Sequence, residues 1–126
     1  METLTLRSHS TDAALVLTVT GEIDLATQAQ FEEAVTDALR RGPVVVDMSQ
    51  VTFLGISGLR SLLICTQSAT DLGQPLVFAA APRAVRRLVS VARLRRHLPL
   101  SPSVRTASAG VGRVGRTVGL RSFSTG

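Results

Sequence analysis

The chain has 126 residues, 44% of them apolar and only 3% aromatic with no Trp or Tyr, so it fits one domain with an aliphatic core. Its net charge of +5 comes from fourteen arginines, no lysine and nine acids, which gives it a pull on anions but no metal- or redox-type composition. A single cysteine excludes an internal disulfide, no apolar run reaches the roughly 18 residues of a membrane span, and no basic-then-apolar signal opens the chain; the cytoplasm is the expected location.

Leu4 and Leu6 alternate with Thr3, Thr5 and Arg7, and Leu15, Leu17 and Val19 with Val16, Thr18 and Thr20. This two-residue period predicts two strands, each with one apolar face, joined as an antiparallel hairpin through His9 to Asp12. Asp24 follows the second strand at the N-cap position of a helix whose apolar stripe is Phe31, Ala34, Val35, Ala38 and Leu39. Glu32 and Glu33 early and Arg40 and Arg41 late suit that helix's dipole, and Gly42 stops it. Pro43 opens a strand, and Val44-Val45-Val46 is a continuous apolar run of the kind covered on both faces.

A short polar crossing then leads to Gly55-Ile56-Ser57-Gly58, which opens a second helix with Leu59, Leu62, Leu63 and Thr66 toward the core. Leu72-Gly73-Gln74 ends it. Leu76 to Ala80 reads as another buried strand, and Pro82 starts a third helix. That helix carries Val85, Leu88, Val89 and Ala92 on one stripe and Arg83, Arg86, Arg87 and Arg93 elsewhere. Leu98-Pro99-Leu100 predicts a short edge strand. The order predicts an α/β domain over residues 1–103: a mixed β-sheet of four to five strands with α-helices packed on it. Residues 104–126, rich in Arg, Gly and Ser, read as a basic and mostly disordered tail, with a weak helical turn around Val104 to Ala109.

The charge is divided along the chain. Residues 1–71 hold nine acids and four arginines, a net −5, whereas residues 72–126 hold ten arginines and no acid, a net +10. Without interleaved aromatics or a known nucleic-acid module, a solvated basic face is expected and no specific nucleic-acid partner.

The candidate chemistry is sparse. Ser57 reads either as a plain helix N-cap or as a phosphoacceptor and partner contact, since it lies where a helix offers free N–H groups after a parallel strand. A serine-hydrolase elbow would need glycine where Leu59 stands. Gly110-Val-Gly112-Arg-Val-Gly115 spells a dinucleotide fingerprint without the strand–helix setting it needs. His9, His97 and Cys65 lack metal-ligand spacing, and Glu22 and Asp24 fit turn and cap roles. No catalytic residue, metal or cofactor is expected.

Three segments together resemble the STAS domain of anti-sigma factor antagonists. Thr20-Gly21-Glu22-Ile23-Asp24 with Thr27 is similar to that family's turn into its first helix. Asp47-Met-Ser49-Gln-Val51-Thr-Phe53-Leu54 followed by Ser57-Gly58-Leu59 is similar to its DLSxVxFxDSSGL loop. Pro82-Arg-Ala84-Val85-Arg-Arg87-Leu88 is similar to its third helix. The resemblance covers residues 1 to about 100. It implies a bacterial, non-enzymatic regulator that binds an anti-sigma factor, often a histidine-kinase-like serine kinase, and so releases a sigma factor for transcription.

In the family the kinase phosphorylates the first hydroxyl residue of that loop. Here Gly55 stands at the usual Asp position and Ile56 at the usual phosphoacceptor, so phospho-control is expected to be lost or moved to Ser57. The resemblance implies a partner-binding set of Asp24, Gly55, Ile56, Ser57, Gly58 and Arg60, on a monomer or weak dimer. The alternative it leaves open is a STAS module of a membrane-associated transport or lipid-trafficking complex. The acid-free C-terminal part is a second departure, because the family closes there with an amphipathic fourth helix.

Overall fold

The structure is a computed structural model, and it describes residues 4–111. Five strands form one sheet in the order β1-β2-β3-β4-β5: β1 (Leu4–Ser10), β2 (Leu15–Ile23), β3 (Val44–Leu54), β4 (Leu76–Ala79) and β5 (Leu100–Ser101). The β1–β2 pair is antiparallel, and each later pair is parallel. The helices α1 (Gln28–Leu39), α2 (Ile56–Leu72) and α3 (Arg83–Val91) are the crossovers between successive parallel strands. A 3-10 turn, Arg95–His97, precedes β5.

The hairpin turn falls slightly later than the sequence suggests. Thr11 closes it, accepting at Oγ1 from Ala14 N at 3.1 Å and donating to Ala14 O at 2.9 Å.

Alternation along the strands sends residues to two separate cores. Val44, Val46, Met48, Leu17, Val19 and Phe78 face the three crossover helices and pack with Phe31, Val35, Leu62 and Val89. Val45, Val16, Ala14 and Ala79 face the other way. That second face is covered by a helix over residues 104–111, whose Ala107 and Val111 are buried against it with Val104 at its edge. The domain boundary expected at 103 therefore moves: the expected weak turn is a packed helix, here called α4. The rest of the expected tail lies outside the described residues.

Strand β3 is longer than the sequence suggests. It runs unbroken through the segment read as a polar crossing. Its register with β2 shifts between Thr18 and Thr20 and between Gly21 and Glu22, so β3 carries an extra residue at each point. These bulges break strict alternation and leave both Thr52 and Phe53 exposed between buried Val51 and Leu54.

Candidate partner-binding site

The site forms where β2 and β3 hand over to α1 and α2. Asp24 does not stand at the N-cap of α1; Thr27 does. Asp24 instead holds the turn before the helix. Its Oδ1 accepts from Ala26 N at 3.0 Å and Thr27 N at 3.2 Å. Thr27 is buried, and its Oγ1 accepts from Asp24 N at 3.0 Å while donating to Glu22 O at 2.7 Å. This network ties the end of β2 to the start of α1 and fixes Asp24 in place.

Gly55 reaches the same corner from β3. Its N–H donates to Ile23 O at 3.0 Å, and a Cβ at this position would lie 3.9 Å from Asp24 Cβ and 3.2 Å from the Phe53 ring. Gly55, not Ser57, is the N-cap of α2, in an extended conformation open to any residue, and it makes no side-chain cap bond. The Ser57 hydroxyl, in the first helical turn, has no hydrogen-bond partner among the described residues and is half-buried.

Gly58 has a different job from the one expected of it. It is buried, and a Cβ there would meet Ile23 O at 2.3 Å and Leu54 Cδ1 at 2.7 Å. It lets the first turn of α2 sit directly on the end of β2. It contributes to the site by fixing the approach of α2, and cannot contact a partner with a side chain.

The outward surface of this corner is apolar. Leu25 is 77% exposed, Phe53 53% and Ile56 77%. Leu25 follows Asp24 and Ile56 follows Gly55, so three large apolar side chains surround the Asp24–Gly55 approach. Arg60 is exposed one turn further along α2. Exposed large apolar groups clustered at one corner mark an interaction surface more than isolated ones do. Leu25 and Phe53 were not singled out in the sequence. Phe53 falls there in the segment read as a polar crossing, and the bulge opposite Gly21 and Glu22 leaves it facing outward.

Behind this corner α2 is anchored on α1. Ser61 is fully buried and donates to Glu32 Oε2 at 2.5 Å. Cys65, one turn on, is also buried; burial and then the Glu32 carboxylate push its thiol from 9.0 up to about 12. A thiol held protonated and enclosed is not a nucleophile.

Among the described residues no group of three or more His, Cys, Asp or Glu could hold a metal, and no helix is long and apolar enough to cross a membrane. Gly110, the first glycine of the fingerprint-like run, lies inside α4 and not in a strand-to-helix loop; its remaining glycines fall outside the described residues.

A family model described as "Mlab, STAS domain" matches residues 6–102. The chain belongs to this STAS-domain family. It is 34% identical over 120 residues to the anti-sigma-F factor antagonist RsfB of Mycobacterium tuberculosis, covering 90% of this chain and 94% of that protein. A crystal structure of an anti-sigma factor antagonist from Mycobacterium paratuberculosis superposes with a TM-score of 0.76 at 29% identity, over 86% of this chain and 93% of that one. The unphosphorylated form of the antagonist SpoIIAA shares the fold, with a TM-score of 0.67 at 12% identity over 86% of this chain and 97% of that one.

Proposed function

We propose that the protein is an anti-sigma factor antagonist. It binds an anti-sigma factor of the histidine-kinase-like serine kinase type and so frees a sigma factor for transcription. It acts in the cytoplasm as a binding protein, not as an enzyme. The observation that carries this reading is the 34% identity to an anti-sigma-F factor antagonist, spread over 90% of this chain and 94% of that protein.

The corner at Asp24 and Gly55 supplies the contact surface. Leu25, Phe53 and Ile56 bury apolar area against the partner, while Asp24 and Arg60 orient it by charge. Ile56 has no hydroxyl and cannot take a phosphate, so the contact is not switched at this residue.

Capture of candidate histidine-kinase-like serine kinases from the same genome on the immobilised full chain tests the reading. One kinase is expected to be retained, and Ile56→Asp is expected to weaken retention about 10- to 100-fold while leaving the fold intact. Retention of none overturns the proposal. Incubating the retained kinase with the protein and ATP is expected to leave Ser57 unmodified in the mass spectrum. A phosphopeptide at Ser57 would show instead that the switch has moved by one residue.

A second reading, a STAS module of a membrane-associated transport or lipid-trafficking complex, draws on the exposed arginines of α3. It predicts co-sedimentation with membranes that disappears at high salt.

A further inference from the structure

The β4–α3 crossing borders an open cavity of about 810 Å³ whose lining shares no residue with the partner-binding corner. Arg83, Arg86 and Arg87 line it from α3, and Arg95 lines it from the 3-10 turn. Ala80, Leu100 and Pro102 form an apolar part of its wall. All four arginines are exposed to solvent.

Their charges have no internal answer. Among the described residues the single ion pair is Arg40–Asp37, and none of the four cavity arginines meets a carboxylate. Arg86 donates from Nε to Ala81 O at 3.2 Å, which steadies one guanidinium at the cavity and leaves its other donors free. The start of α3 adds to the positive field. Its N-cap is Pro82 and makes no side-chain cap bond, and the first internal bond runs from Arg86 N to Pro82 O at 3.0 Å. The N–H groups of Arg83, Ala84 and Val85 thus have no acceptor within the helix.

Four arginines lining one concavity with no carboxylate among its lining residues make it locally positive, which favours an anion there. Guanidinium forks match phosphate oxygens two at a time. The volume exceeds what a bare phosphate fills, and the apolar wall suits a carbon body. The concave shape and the lack of stacking aromatics suit a small molecule better than a nucleic-acid strand.

We infer that this cavity binds a small phosphate-bearing molecule, its phosphate held by Arg83, Arg86, Arg87 and Arg95 and its body against Ala80, Leu100 and Pro102. The site is separate from the partner-binding corner. Strand β3 continues seven residues past its last pair with β4, Asp47↔Ala79. Two of those residues are bulged, so the stretch spans the five β2 steps from Thr18 to Ile23, roughly 17 Å at the rise of a strand. The inference therefore does not rest on the proposed partner.

The test titrates inorganic pyrophosphate into the full chain by calorimetry at constant ionic strength. Saturable binding is expected, weakened about tenfold or more in the Arg83→Gln/Arg87→Gln variant. The Arg7→Gln/Arg41→Gln variant makes the same charge change outside the cavity and is expected to bind like the parent. Thermal unfolding of both variants checks that each is folded. Vesicles containing a phosphomonoester lipid, floated with the protein, separate the sources. Flotation that depends on Arg83 and Arg87 assigns the phosphate to a lipid headgroup, and pyrophosphate binding without flotation assigns it to a free metabolite. Absence of both, or binding lost equally in the two double variants, overturns the inference.

Discussion

The β3–α2 and β4–α3 crossings are built alike. Each leaves the C-terminal end of a parallel strand, and each enters a helix whose N-cap makes no side-chain hydrogen bond. Their surroundings differ in every other respect. The first is pinned from below by the Asp24–Thr27 network and by the contact of Gly58 with Ile23, and it shows Leu25, Phe53 and Ile56 to solvent. The second shows guanidiniums around a hollow, and its chain turns through Ala80 at φ 57, in the left-handed region. The same topological position thus carries two different surfaces: a rigid apolar corner and a basic concavity. The difference lies in what each loop packs against, not in the strand–helix frame.

The comparison breaks most visibly at the rigid corner. Gly58→Ala places a methyl 2.3 Å from Ile23 O. Overpacking against backbone of about 3 kcal/mol outweighs the better helix propensity of alanine, about 1 kcal/mol, so stability falls by about 2 kcal/mol. Urea unfolding measures this; an unchanged midpoint would mean that α2 does not sit on β2 as described.

The helix behind that corner responds to alkali. The Cys65 thiol is raised from 9.0 to about 12 in the folded protein, chiefly by burial. The unfolded chain therefore releases its proton first, and stability present below pH 9 declines as pH rises toward 12. The slope is about 1.4 kcal/mol per pH unit within that window. Denaturation between pH 8 and 10.5 should show this decline in the parent and lose it in Cys65→Ala, whose stability is lower at pH 8 and approaches the parent's as pH rises.

The smallest effect belongs to the basic crossing and has the opposite sign. Ala80→Gly removes the side chain at a positive φ. Relief of that strain exceeds the entropy cost of glycine by about 0.5 kcal/mol, so the melting temperature rises slightly. One crossing is thus damaged by adding a methyl group and the other relieved by removing one.

Much of this was legible in the chain itself. Val44-Val45-Val46 announced a strand covered on both faces, and the structure gives it one neighbour core on each side. The apolar stripes of α1 and α3 were read from spacing alone. Asp24, Gly55, Ile56, Ser57 and Arg60 were placed together through a family resemblance, and the turn network and Gly55 bring Asp24 and the loop into one corner.

What escaped depended on long-range geometry. The two bulges in β3 are set by its pairing with β2, so no local pattern could turn Phe53 outward. Gly58 looked like a loop residue, because its demand for a missing side chain comes from Ile23, 35 positions earlier. The α4 stripe of Val104, Ala107 and Val111 is too small and too diluted by Ser, Thr and Gly to signal a helix. Only the open face of the sheet makes it one. The cavity at α3 is likewise invisible as a sequence, where its arginines look like an ordinary solvated face.

The small side chains under α4 have a practical consequence for where this protein can be cut. Val16, Val45 and Ala79 are at most 2% exposed, and Ala107 and Val111 are part of what keeps them so. A fragment ending at 103 would retain the pocket, the corner and all five strands, yet leave the three central strands bare on one side. Such a fragment would stick to its own kind through that bare side before it met any partner.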